Sequence, residues 1–90
     1  MYEVIFDEEA IDFLKALPKE IKERVFKKII SSKENPLHFF ERLAGRGEYK
    51  LRIGDYRVIA EIDSGQKKIQ IVFVGHRKNV YDKIWLSSPL

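Results

Sequence analysis

Lys50, Arg52 and Arg57 flank a Gly54-Asp55 pair, and His76-Arg77 is followed by Tyr81, four residues beyond the arginine. Guanidinium groups match phosphate oxygens in both charge and geometry. A phenol, an imidazole or a lysine of lowered pKa can move protons. Together these groups meet the needs of RNA cleavage by transphosphorylation. The 2′-hydroxyl must lose a proton, cations must stabilise the phosphorane, and the leaving 5′-oxygen must gain a proton. Each residue has a plainer reading when taken alone. A lone tyrosine near a chain end is more often a packing residue, and a histidine at a strand exit is more often a satisfied polar group. Trp85 is most simply an anchor, with base stacking as its alternative.

The hairpin gives the cations their common address. From Glu48 the apolar pattern has period two: Tyr49, Leu51 and Ile53 alternate with Lys50 and Arg52. Gly54-Asp55 is a two-residue turn signal with glycine first, which suits a type II′ turn. That turn fixes the register. Ile53 faces Tyr56 and Leu51 faces Val58 on the core side, so Arg52 faces Arg57 on the other side with Lys50 beside them. Like charges directly opposed across two strands destabilise a sheet by some tenths of a kcal/mol, up to about 1. An anion lying across the pair converts that repulsion into a clamp. The competing reading is a solvated outer face, relieved by Glu48 or Glu61.

The elements that must hold this hairpin follow from the rest of the chain. Tyr2 to Phe6 reads as a short strand ending at Asp7, a good N-cap. Ile11, Leu14 and Leu17 mark one face of a first helix, with Phe13 at its border. Pro18 starts a second helix carrying Ile21, Val25 and Ile29, which ends before Asn35-Pro36. The two helices are expected to pack as an antiparallel hairpin. Leu37 to Gly47 is a connector with room for one helical turn. Asp63-Ser64-Gly65 turns the chain into a third hairpin strand, Lys68 to Val74, and Gly75 would admit a close approach by backbone or ligand. Val80, Tyr81 and Ile84 indicate a short C-terminal helix. The expectation is therefore one α+β domain over residues 1–90: an N-terminal helical hairpin on a largely antiparallel four-stranded sheet, with a short C-terminal helix.

Composition narrows the partners. Ninety residues close one hydrophobic core. With no cysteine and two histidines, disulfide scaffolds and thiolate metal sites are excluded and a conventional zinc centre is improbable. The N-terminus lacks a signal-peptide pattern and no apolar run approaches the length of a membrane span, so the default expectation is a cytoplasmic protein with no membrane partner. Net charge is +3, but unevenly placed: residues 1–45 hold eight Lys/Arg against nine Asp/Glu, and residues 46–90 hold nine against five. The basic excess sits in the sheet-forming half, which favours a polyanionic partner.

The stretch Tyr49-Lys50-Leu51-Arg52-Ile53-Gly54-Asp55-Tyr56-Arg57-Val58 resembles the central motif of the RelE/ParE toxin superfamily. Phe73 to Tyr81 resembles that family's closing motif, and Leu43-Ala44-Gly45 its Leu-x-Gly lead-in. With the N-terminal helices, the similarity covers nearly the whole chain. The resemblance implies a microbial RNase-like fold and, in the RelE branch, ribosome-dependent cleavage of mRNA in the A site. Neither a metal nor another cofactor takes part in that reaction, which leaves a cyclic phosphate and a 5′-hydroxyl. By position, it implies that Arg57 and Arg77 stabilise the transition state and that Lys50 assists them or transfers a proton. Tyr81 would orient the 2′-hydroxyl or stack on a base. Arg52 would bind phosphate, with Arg46, Lys78 and His76 completing the RNA-contacting set. It also implies a cognate acidic, RelB-like antitoxin held in a hetero-oligomer. Glu48 departs from the pattern, because well-studied RelE enzymes carry a further lysine there. Two other functions share much of this frame: a ParE-like inhibitor of DNA gyrase without nuclease activity, and a non-catalytic RNA- or ribosome-binding domain.

Overall fold

The computed structural model describes residues 1–43 and 47–76. The C-terminal helix expected around Val80 to Ile84 lies outside the described residues, as do Arg46, Arg77, Lys78 and Tyr81. In chain order the elements are β1 (Glu3–Phe6), α1 (Glu8–Lys15), α2 (Lys19–Ser31), α3 (Pro36–Phe39), β2 (Glu41–Arg42), β3 (Tyr49–Ile53), β4 (Tyr56–Asp63) and β5 (Lys68–His76). Among the described residues the sheet has five strands, ordered β1-β5-β4-β3-β2. The expected four are joined by β2, which pairs antiparallel to β3 through Glu41↔Lys50 and Arg42↔Tyr49. Two residues are too few to show a periodicity, so β2 leaves no mark in the sequence. β1 runs parallel to β5, and the other three pairings are antiparallel.

Both long helices present an apolar stripe to the sheet. Along α1 and the turn after it the inward residues are Ala10, fully buried, with Phe13, Leu14 and Leu17 packed around the core. The stripe is thus rotated from the expected one, and Ile11 is exposed. On α2 Val25 and Ile29 are fully buried and Ile21 borders them, while Phe26 and Ile30 face outward. Rather than packing chiefly on each other as a hairpin, α1 lies mainly against β5 and α2 against β3. The caps also differ in detail. Asp7 occupies the N-cap of α1, but its carboxylate makes no capping bond and instead accepts a hydrogen bond from the Gln70 side chain, tying β1 to β5. Pro18 is the N-cap of α2, where its missing N–H costs nothing and its carbonyl accepts from Lys22 at 2.8 Å. Among the described residues no helix is long and apolar enough to cross a membrane.

The core lies between the helices and one face of the sheet: Leu51, Ile53, Val58, Ala60, Ile69, Ile71 and Val74 are all buried there. β5 keeps three of these on one side through a register shift. Ile59 pairs with Phe73 and Ala60 with Ile71, which leaves Val72 as an extra residue. Without that bulge, strict alternation would put Ile71 and Val74 on opposite faces. The bulge also turns Phe73 to the far side, where it forms a small second cluster with Ile59, Leu43, Phe13 and Val72. Phe13 meets Phe73 edge-on, with ring centroids 4.4 Å apart.

Gly75 has a specific neighbour. A Cβ at this position would lie 3.1 Å from two atoms of the Phe73 ring. The close approach expected at this glycine is therefore made by an aromatic side chain two residues earlier on the same face. We expect Gly75→Val to destabilise the protein by about 1–3 kcal/mol through overpacking. Urea melts check the stability, and the aromatic NMR shifts of Phe73 should move with it.

Candidate nucleic-acid interface

Five cross-strand pairs hold the β3–β4 hairpin, and they are the pairs that the turn dictates: Ile53↔Tyr56, Arg52↔Arg57, Leu51↔Val58, Lys50↔Ile59 and Tyr49↔Ala60. Gly54 takes φ +61° while Asp55 stays at negative φ, as a type II′ turn requires. Leu51, Ile53 and Val58 face the core, so the alternation sends Lys50, Arg52 and Arg57 to the opposite side. Arg57 sits in the middle of the sheet between Arg52 on β3 and Gly75 on β5, and only 6% of it is exposed. Arg52 is exposed at the sheet's outer side, and Lys50 is half-buried.

The three side chains line one open cleft of about 540 Å³. Its floor is Lys50, Arg52 and Arg57 with the edge of Leu51. Its wall comes from segments that the sequence reading did not assign to a site: Lys28 of α2, His38 and Phe39 of α3, and Glu41 of β2. Among the described residues, four cations thus meet one carboxylate. Glu41 lies 3.5 Å from the Lys50 ammonium, but its side chain is 73% exposed. An ion pair in that setting is worth little and gives way readily to a stronger anion. Neither Lys28 nor His38 stands in any recognisable spacing with the hairpin; only the tertiary fold brings them there. The Pro36 break was the available signal, since it forces the chain to turn back over the sheet edge.

His76 is placed differently from the expectation. The register sets it opposite Tyr56, with the rings 5.6 Å apart and nearly perpendicular, on the side of the sheet that carries Val58 and Val74. Arg57 is opposite Gly75 on the other side. Strand alternation therefore separates the imidazole from the cleft.

The outer face is not uniformly open. Beyond the cations, Ile59 and Phe73 are nearly buried, and past them lies a second hollow of about 750 Å³. Glu48, Glu61 and Asp63 give that end an acidic lining, joined by Lys68 and Gln70. Among the described residues no group of three or more His, Asp or Glu is arranged to hold a metal ion. The positive end is thus the part of the face suited to a phosphate chain.

Helices packed on a mixed sheet, with a cationic cleft between the β3–β4 hairpin and the α2 and α3 residues beside it, make this a small α+β domain. The sequence matches the ParE toxin family of type II toxin-antitoxin systems over residues 4–81, and the chain belongs to that family, within the RelE/ParE toxin superfamily. It is a toxin of a type II toxin-antitoxin system. No curated protein matches the sequence. Solved structures with the same fold are RelE toxins. The toxin of the RelBE2 toxin-antitoxin complex from Mycobacterium tuberculosis is 29% identical, with a TM-score of 0.76 over 84% of this chain and 98% of that one. The archaeal RelE-RelB complex from Pyrococcus horikoshii OT3 is also 29% identical, with a TM-score of 0.72 over 84% and 94%. The RelB-RelE complex of Methanococcus jannaschii gives 25%, 0.71, and 88% and 96%.

Proposed function

We propose that this toxin is a ribosome-dependent endoribonuclease that cleaves mRNA in the A site. One observation carries the reading: the hairpin register opposes Arg52 and Arg57 on the same cleft floor as Lys50. Like charges opposed across two strands cost a sheet stability, whereas a phosphodiester lying across them is bound by both. In the proposed reaction the 2′-oxygen attacks the adjacent phosphorus and the bond from phosphorus to the 5′-oxygen breaks. The products are a 2′,3′-cyclic phosphate and a 5′-hydroxyl. Arg57, held rigidly in the centre of the sheet, stabilises the phosphorane charge without reorganising, and Arg52 binds a flanking phosphate. Lys50 gives up Glu41 for the substrate and assists in charge stabilisation or proton transfer. Arg77 and Tyr81 take the roles that the closing motif gives them, transition-state stabilisation and placement of the 2′-hydroxyl. Arg46 and Lys78 remain proposed RNA contacts by sequence position. The complexes of the similar toxins with RelB support an antitoxin partner here too. As a toxin working on ribosomes, the protein acts in the cytoplasm.

The match to the ParE family favours a second reading, inhibition of DNA gyrase without cleavage. A protein-binding inhibitor has no need of a cationic floor against phosphate. The toxin added to programmed ribosomes is expected to truncate mRNA within A-site codons and to leave gyrase supercoiling untouched. Intact mRNA together with blocked supercoiling would reverse the assignment, and tight ribosome binding without cleavage would leave only an RNA-binding domain.

A further inference from the structure

We propose that the α3 wall of the cleft is a nucleobase subsite, in which the His38 ring stacks against an unpaired base of single-stranded RNA whose phosphates lie on the cationic floor. The proposal rests on the nuclease reading for its ligand but assigns residues that no part of that reading uses.

The wall is built to hold an exposed ring in place. α3 is a single turn, and the residues bounding it are the ones that are buried: Pro36 at its start and Phe40, 5% exposed, just after its end. The Phe40 N–H closes the turn on the Pro36 carbonyl at 2.7 Å. With both ends anchored, His38 is left exposed between them on the cleft side. Its ring stands perpendicular to that of Phe39 with centroids 5.3 Å apart, and Lys28 Nζ lies 5.7 Å from the Phe39 centroid. Phe39 is thus braced by a cation and in turn braces the imidazole. An edge-to-face contact leaves ring surface of His38 available for stacking.

The occupant follows from charge and shape. Lys28, Lys50, Arg52 and Arg57 against Glu41 select a polyanion. An aromatic ring within the same cleft selects one with flat apolar faces, and bases stacked on aromatic side chains beside a basic groove are how single strands are held. An acidic polypeptide would use the floor and leave the ring idle.

The test uses the full chain and two probes, a 2′-O-methylated hexaadenylate, which resists cleavage by 2′-hydroxyl attack, and the same oligomer with abasic riboses. Fluorescence anisotropy should show the wild type binding the intact oligomer about ten-fold more tightly than the abasic one. His38→Ala should abolish that preference while binding the abasic oligomer as the wild type does. His38→Tyr, which restores a ring without an imidazole, should restore the preference. A preference that survives His38→Ala, or is absent from the wild type, overturns the subsite. So does a cleft that binds polyglutamate but neither oligomer. The outcome is separable from the nuclease reading, because base preference without mRNA cleavage on ribosomes sinks only the latter, and cleavage without base preference sinks only the subsite.

Discussion

Replacing Arg57 by methionine is expected to lower mRNA cleavage on programmed ribosomes by a factor of about 10²–10³ without lowering the melting temperature. The loss follows from position. Arg57 is the most buried of the four cations lining the cleft and the one fixed from both sides by sheet pairing. A donor that does not have to reorganise during reaction is where electrostatic catalysis is concentrated. The unchanged stability follows from volume and charge. Methionine fills much of the space left by the arginine stem, whereas alanine would open a cavity and confuse the two effects. Removing one of two opposed guanidiniums relieves up to about 1 kcal/mol of cross-strand repulsion. Single-turnover cleavage and thermal denaturation of the same preparation check both halves. Retained cleavage with a sharply lower melting temperature would make Arg57 a structural residue.

Ile71→Ala should produce the largest loss of stability of any single truncation proposed. Ile71 is fully buried, and its backbone pairs with Phe6 on one side and Ala60 on the other. Its carbonyl also accepts from the Asp7 N–H at 3.0 Å, at the point where β1 passes into α1. Truncating a buried isoleucine costs about 2–5 kcal/mol, the higher values applying where neighbours cannot collapse into the cavity. Two paired strands hold the backbone here, so collapse is restricted. For a domain of this size each kcal/mol corresponds to roughly 4–8 °C in melting temperature, so a fall on the order of 10–30 °C is expected. Calorimetry reads it directly. A shift of only a few degrees would mean that the bulge at Val72 lets β5 slide and refill the space.

The parts of this fold that were legible in the sequence are those governed by local rules. The hairpin is the clearest case: Gly54 and Asp55 set a turn type, the turn sets the register, and alternation then assigns every side chain from Tyr49 to Ala60 to a face. The same rule does not carry into β5, because a bulge shifts the alternation at Val72 and nothing in a run of apolar residues marks where the extra one falls. That shift is why His76 lies beside Tyr56 rather than in the cleft. The cleft itself was half legible. Its floor is one hairpin, but its wall of Lys28 and His38 is assembled by tertiary contact between segments that share no pattern. Ile11 illustrates the limit on helices: with apolar residues at 10, 11, 13, 14 and 17, two stripes fit the sequence, and the sheet selects the one containing Ala10.

The parallel pairing of the first strand with the last described one has a bearing on synthesis. Phe6 cannot find Ile71 until more than sixty further residues have been made, and contacts so distant along the chain form late because a long loop must first be closed. The β3–β4–β5 meander that carries the arginine pair depends on two tight turns, whereas the strand that seals its far edge is made well before its partner and must wait. The first strand is therefore left unpaired until β5 has been made. That interval is when chaperones or a co-produced partner have the most to cover.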